Sequence, residues 1–587
     1  MTNYLEQDDS KVKKFAISDM RSTFLLLKFA KAQILPYTLS LIVLFLSSGF
    51  YILSSRNSGS LVQKLKEGDY HQAYIFAALI LSFELLAIGF SYLGRRTISK
   101  YSSLVILEIR KRLFDHLQKL PQSFFDRQPR GRIITRLTHD VEGIEEFFTG
   151  SLGKVLQAIF LIIASFVAMF TLNPKLASFL ILSLIPGILF IYFTRGTVRK
   201  VTRDMAVTSS ATNSRLSEFL DGIEVIRVFG LESWSKEKYR ESVNANKEAT
   251  LNANFLYAWT QPVISFLVYS PLFGLVYFGG NSVLNGTMEI GIFIAFLRTC
   301  ERFISPILNL SREILVVQQS FSYTERVVNF LQTPTEDTSI GPDGLQSPLL
   351  KGAISFEDVS LFYSNNEWVL KDISFKIAPG EKVGLVGRTG SGKTSIVSLM
   401  CRLYPFQKGK IKFDGVDIES IKREHLRSQI GLVSQDVILF RGTLKDNLTL
   451  KEDITLEEIK MACQKSGLDR IMEKNGINLN FEVLDAGSNL SAGERQLVSL
   501  TRIFLKKPGI LILDEATANI DQECEDIIHK AIFSEMEGNT ALIIAHRLET
   551  IKQCDRILIL ENGKLIEQGT ILDLTEKKGA FYNFQNI

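Results

Sequence analysis

Cysteine is scarce in this chain: five in 587 residues, none before Cys300. Cys300, Cys401, Cys463, Cys524 and Cys554 show no paired metal-type spacing, so a cysteine-held metal centre is excluded and they read as reduced packing residues. Net charge is scarce too. Sixty-seven Lys and Arg stand against 63 Asp and Glu, and a balance of +4 gives no case for nucleic-acid binding. An apolar leader is missing: Met1–Met20 is polar and does not read as a cleavable signal peptide. What is abundant is apolar residues, 46%, with a mean hydropathy of +0.13. Charged residues still make up 22%. A chain both greasy and charged separates into a membrane part and a water-soluble part, and 587 residues leave room for several domains.

Six segments have the length and apolarity of spanning helices: Gln33–Ser54, Gln72–Gly94, Gly153–Leu172, Leu176–Thr194, Ala258–Gly279 and Ile290–Leu310. The amphipathic stretch Asp19–Lys31 before them suits the membrane surface. Asn173-Pro174-Lys175 and Leu284-Asn285-Gly286 are short turns; Arg95–Leu152 and Arg195–Tyr257 are long, charged and helix-periodic. Structureless loops of that length are rare, so both should be helices running out of the membrane. Arg and Lys crowd the first of them, which places both long segments and both termini in the cytosol. Asn285-Gly286-Thr287 matches a glycosylation pattern by chance. Pro186, Pro262, Pro271 and Pro306 are tolerated kinks. Glu84 is the deepest charge; it serves substrate or protons, or it faces a wet cavity or a partner inside the bundle. Arg298, Glu301 and Arg302, at i, i+3 and i+4, suit a helix-surface ion pair or substrate contact.

Gln332–Lys351 is rich in Pro, Gly, Ser, Thr and acids and reads as a linker. Strand-like runs then alternate with helical ones, the pattern of an α/β domain. The expected organisation is a tail at 1–32, an all-α domain of six spans at 33–331, the linker at 332–351 and a P-loop α/β domain at 352–587.

Gly387-Arg388-Thr389-Gly390-Ser391-Gly392-Lys393-Thr394 matches G-x-x-x-x-G-K-[ST], between an apolar strand (Val383–Val386) and a helix opening at Ser395. Glycines let backbone N–H groups curl around phosphate oxygens, and the helix N-terminus adds partial positive charge. Lys393 reaches the β- and γ-phosphates, and the Thr394 hydroxyl ligates Mg²⁺; the phosphate cradle runs from Gly387 through Ser395. The apolar strand Gly509–Leu513 ends in Asp514 and Glu515. Asp514 is placed to hold Mg²⁺ through water and Glu515 to polarise the attacking water. Ala541–Ala545 ends in His546, a γ-phosphate contact. In Leu490-Ser491-Ala492-Gly493-Glu494-Arg495-Gln496, Ser491 and Gly493 open a helix and make a second anion-binding end, which suggests a pocket composed from two domains.

With these motifs in place, nearly the whole chain resembles an exporter-type (type IV) half-transporter of the ABC transporter superfamily. The resemblance implies ATP and Mg²⁺ as cofactors and ATP-driven export or flipping of a hydrophobic or amphipathic small molecule or lipid. A dimer with a second half-transporter, sited in a bacterial plasma membrane among its lipids, would do this, with the nucleotide-binding domain in the cytoplasm. It implies that Tyr363 stacks on adenine, that Gln435 senses Mg²⁺ and the membrane domain, and that Asp485 stands where glutamate is usual. Ala518–Asp521 resembles the D-loop, and turns around Phe125–Arg132 and Glu218–Glu232 resemble coupling helices. The signature departs from the usual Leu-Ser-Gly-Gly-Gln: Ala492 adds a Cβ and Glu494 an acid beside phosphate, which leans towards a heterodimer over a homodimer. An ATP-gated channel on the same scaffold or a peptide exporter are the alternatives, though peptide processing would need a cysteine upstream of Cys300.

Overall fold

The computed structural model describes residues 31–587 apart from 341, 364–366, 435, 451, 515–521, 536–537, 545–550, 578 and 586–587. The amphipathic stretch expected before the first span, and Gln435, Glu515, Ala518–Asp521 and His546, therefore lie outside the described residues. The chain divides into two compact units, residues 1–114 with 134–331 and residues 115–133 with 332–587.

The first unit is built on six long helices: α1 (Lys31–Glu67), α2 (Tyr70–Gln118), α3 (Leu152–Leu172), α4 (Pro174–Asp221), α5 (Glu232–Leu284) and α6 (Ile290–Leu331). The charged segments are helical extensions, as their periodicity requires: α2 continues 24 residues past Gly94 and α5 begins 26 residues before Ala258. Asn173 caps α4, its side chain accepting from the Leu176 N–H at 3.1 Å, with Pro174 at the first helical position. Among the described residues five helical runs hold a charge-poor apolar window of mean hydropathy 1.7 to 2.4; α6, which carries the expected sixth span, is not one of them. In α6, Arg298, Glu301 and Arg302 fall inside the apolar stretch. Its other face is buried: Phe296, Cys300, Phe303 and Ile304 pack with Met169, Leu180, Val268 and Leu275. Where α1 crosses α6, only glycine fits, since a Cβ on Gly59 would lie 2.1 Å from the Gly291 carbonyl oxygen.

Arg302 does not pair along its own helix with Glu301. Its guanidinium reaches α2 and donates to Glu84 Oε1 at 2.6 Å, while its Nε donates to Ser55 Oγ at 2.9 Å and its charge sits 4.5 Å from the Tyr51 ring centre. Ser54 donates to the same Glu84 oxygen at 2.7 Å. Glu84 is thus paired inside the bundle, because an unpaired carboxylate at that depth costs about 2.5–3.5 kcal/mol or more. Nearer the C-terminal end of α6, Arg326 grips Asp140, which is 1% exposed, from two nitrogens, one at 2.9 Å; Ser320 donates to the Gly143 carbonyl at 3.0 Å.

The second unit holds three sheets. One runs β2-β1-β4-β5, from β1 (Ile354–Leu361), β2 (Leu370–Ile377), β4 (Lys408–Phe413) and β5 (Val416–Asp417). The central sheet runs β12-β11-β3-β10-β9-β6, from β3 (Lys382–Gly387), β6 (Ile430–Val433), β9 (Ile510–Asp514), β10 (Thr540–Ile544), β11 (Arg556–Glu561) and β12 (Lys564–Gly569). β7 (Gly442–Thr443) pairs with β8 (Glu482–Val483). All central pairings are parallel except β11–β12. Parallel strands are covered on both faces, and β9 shows it: Ile510 and Ile512 enter one core, Leu511 and Leu513 the other. The five cysteines are buried and in no disulfide, and burial pushes the thiols of Cys401 and Cys463 up to about 11 and that of Cys554 to about 12, which leaves these three protonated and inert.

The segment Gln332–Lys351 is strapped to this unit. Arg427 pairs with Glu336, and Arg423 with Asp337. Arg402, 3% exposed, donates to the Pro342 carbonyl at 2.9 Å, and the Arg423 N–H donates to Asp343 at 2.9 Å.

The topology has a direct test. With the native cysteines replaced, a cysteine at exposed Lys175 should react with an impermeant maleimide added to intact cells, and one at exposed Arg203 should not. The reverse pattern overturns the orientation.

Candidate functional site

β3 is buried along its length and leads into a loop that ends at α7 (Lys393–Met400). The turn needs glycine. Gly392 caps α7 with φ +107°, and a Cβ there would meet the Leu370 side chain at 2.6 Å. The Ser391 N–H donates to the Arg388 carbonyl at 3.0 Å, and the buried Ser391 hydroxyl has no hydrogen-bond partner. Lys393 is 7% exposed; its Nζ donates to the carbonyls of Gly387 at 2.7 Å and Arg388 at 3.1 Å, so the ammonium is folded over the loop. Thr394 is exposed beside it. An orphaned hydroxyl, a lysine held over a glycine turn and a helix N-terminus are the donor set a polyphosphate requires.

Tyr363 lies against this loop. Its hydroxyl donates to Ser395 Oγ at 2.9 Å, and its half-exposed ring packs edge-on to Tyr404 at 4.7 Å. Its carbonyl accepts from Arg127 at 3.1 Å, so residues 115–133 are anchored beside the same loop within the second unit. That contact, between positions far apart in sequence, leaves no trace in either local motif.

The parallel register assembles the rest. Ile544 of β10 is level with Leu385 of β3 on one side and Asp514 of β9 on the other; Val433 of β6 is level with Leu513. Asp514 thus ends its strand two strands from the P-loop, about 10 Å across the sheet. In sequence Glu515 comes directly after β9, while His546 and Gln435 come one residue further on from β10 and β6.

Ser491 is the N-cap of α8 (Ala492–Lys506). The Glu494 N–H donates to Ser491 Oγ at 3.2 Å, and Glu494 Oε2 accepts from the Ser491 N–H at 2.6 Å, a complete capping box. Glu494 is 9% exposed, and its other oxygen accepts from Asn475 Nδ2 at 2.6 Å. The carboxylate expected beside phosphate is therefore turned back into the helix cap. The Ser-x-x-Glu spacing carried that signal. Gln496 of the same helix donates to the Ser434 carbonyl at 3.3 Å, and Asp485 opens a tight 3₁₀ turn.

Two family models match the chain, ABC transporter transmembrane region over residues 37–306 and ABC transporter over residues 370–518. Among curated relatives, the probable multidrug resistance ABC transporter ATP-binding/permease protein YheH of Bacillus subtilis is 33% identical over 86% of this chain and 75% of its own. The ATP-dependent lipid A-core flippase of Chromohalobacter salexigens is 30% identical over 93% and 95%. A solved bacterial Atm1-family ABC exporter with ATP bound shares the fold with a TM-score of 0.79, at 21% identity over 95% of this chain and 98% of that one.

The capping box makes a quantitative expectation. Glu494→Gln keeps both capping-box hydrogen bonds, and its NH2 can donate to Asn475 once that amide turns its oxygen inward, so the thermal unfolding midpoint should stay nearly unchanged. Glu494→Ala leaves the Ser491 N–H and the Asn475 amide unpaired and should cost about 1–2 kcal/mol. Equal destabilisation by both variants would remove the capping role.

Proposed function

This chain belongs to the ABC transporter family, with transmembrane and ATP-binding regions fused in one polypeptide, and from that premise we propose that it works as half of a dimeric exporter moving a hydrophobic or amphipathic molecule across the membrane. It is an integral, multi-pass membrane protein whose ATPase is coupled to transport. The bacterial plasma membrane, with the ATPase on the cytoplasmic side, is the proposed location. The observation that carries the export reading is the convergence, in one unit, of the lysine-held P-loop with the ends of β9, β10 and β6, in a chain whose other unit is helical with charges paired inside it.

In this reading Gly387–Ser395 hold the phosphates of ATP and Tyr363 supports its base. Thr394, Asp514 and Gln435 would hold Mg²⁺, which supplies charge neutralisation on the phosphates. The positions of Thr394 in the helix after the P-loop and of Asp514 at the end of β9 fit that hard, oxygen-ligated ion, and Gln435 follows β6 in sequence. Glu515 orients and polarises water, His546 contacts the γ-phosphate, and Lys393 steadies the charge that develops on it. Ser491 and Gly493 complete the partner's site across the dimer. The turn around Phe125–Arg132 carries closure to the spans, which the Arg127–Tyr363 bond supports. A partner of different sequence is the favoured dimer, because Ala492 puts a methyl group where glycine would let backbone approach phosphate.

Glu515→Gln should bind ATP yet hydrolyse it roughly 10²–10⁴-fold more slowly. Single-turnover phosphate release measures this, and an unchanged rate at this chain's own P-loop site overturns the role. Lys393→Ala in a two-chain complex should remove most turnover; full activity of this chain purified alone, with two equivalent sites, would establish the homodimer instead.

A further inference from the structure

The charges of α6 divide into two sets. Arg302 turns inward to Glu84. Arg298, Glu301, Ser305 and Asn309 share that side of the helix by their spacing, and all four are exposed, so what separates Arg302 is its partner and not its face. Neither Arg298 nor Glu301 makes an ion pair with another described residue, in contrast to Arg302 and Arg326 on the same helix. The opposite face, with Phe296, Cys300 and Ile304, is packed in the core.

Position along the helix gives this face its meaning. α6 starts at Ile290, directly after the short external turn, and rises about 1.5 Å per residue. The stripe therefore runs from roughly 12 to 28 Å below that end, through the middle and cytosolic half of a hydrocarbon layer about 30 Å thick. Lipid tails cannot solvate a guanidinium and a carboxylate there, so the face needs a polar occupant. The order of charge selects it. A cation and an anion one helical turn apart, both unpaired, match a group that carries an anion and a cation together; a lone cation or a lone anion satisfies one residue and leaves the other unmatched. Ser305 and Asn309 continue the polar track towards the cytosol.

We propose that this stripe is the headgroup path for a zwitterionic amphiphile, a phospholipid whose phosphate meets Arg298 and whose ammonium meets Glu301, with the acyl tails left in the bilayer. The proposal rests on the export reading and names its substrate class. The Glu84–Arg302 pair, tied to Ser54, Ser55 and Tyr51, fixes the helix so that the stripe keeps its facing.

The test uses the complex as purified from its native membrane, reconstituted in phosphatidylglycerol vesicles so that the background lipid lacks an ammonium group. ATP-dependent transfer between leaflets is followed for acyl-labelled phosphatidylethanolamine, its N-acetylated form, and phosphatidylglycerol. Phosphatidylethanolamine should move about tenfold faster than either of the others, the difference one charged contact makes. Glu301→Gln should bring that ratio to about one, while Glu301→Asp keeps it; thermal unfolding of each variant reports folding separately. Equal rates for the three lipids, or an unchanged ratio in Glu301→Gln, overturns the site. So does a disulfide joining Ser305→Cys to the partner chain in the resting complex, since the face would then be an interface. If no lipid moves but an amphipathic cation stimulates ATP turnover and is transported, the headgroup path is wrong and export stands. Absence of any ATP-driven transport removes the export reading itself.

Discussion

The parallel ladder β11–β3–β10–β9–β6 decides which residues of the second unit can meet. Its strands are buried on both faces, so Leu385, Ile512 and Ile544 must enter one core while Val386, Leu513 and Ile543 enter the other. A slip of one residue in any strand would exchange those sets, which pins the register. Pinned register then fixes where each strand stops. The P-loop, Asp514, Val433 and Ile544 fall at one edge of one sheet because their strands run the same way and end close to the same level. Chemistry spread over more than 150 residues of sequence is gathered by hydrophobic alternation.

In the membrane unit the corresponding constraint is charge. Pairing Glu84 with Arg302 gives no large gain in stability, since both groups lose hydration; its effect is to penalise any arrangement of α1, α2 and α6 that breaks the pair. Close approach at Gly59 and Gly291 acts in the same direction through sterics, because only one crossing lets two backbones touch. Asp140 and Arg326 repeat the device towards the C-terminal end of α6. The bundle is thus specified by a few contacts that forbid alternatives, set in a larger apolar packing that would tolerate several.

What could be read from sequence was what is local. The P-loop is legible because one short turn must supply glycine, lysine and hydroxyl together. The helical extensions are legible because periodicity persists beyond the apolar runs. Contacts between distant segments are not. Arg302 with Glu301 satisfies the helix-spacing rule, yet its long side chain finds a deeper carboxylate on another helix. Gln332–Lys351 has a linker's composition, but its acids are matched by Arg423 and Arg427, whose partners no local pattern names. Arg127 and Tyr363 are 236 positions apart.

Glu494 shows how a local rule and a family rule can disagree over one residue. Judged against a signature that ends in glutamine, an acid beside a phosphate site is a repulsive substitution. Judged as the fourth residue of Ser-x-x-Glu, it is a good capping partner, and glutamine would serve the same hydrogen bonds. The geometry favours the second: both carboxylate oxygens are engaged, by the Ser491 N–H and by Asn475. A carboxylate so held adds charge near the helix start, but its nearest donors partly offset it, and the Ser491 hydroxyl stays free to donate outward. The case for unequal ATP sites then passes from electrostatics to sterics, to the single methyl group of Ala492. In the proposed dimer a methyl group would restrict how closely a phosphate can reach the N–H groups of the helix start without removing them, so it would weaken the second site by distance rather than abolish it.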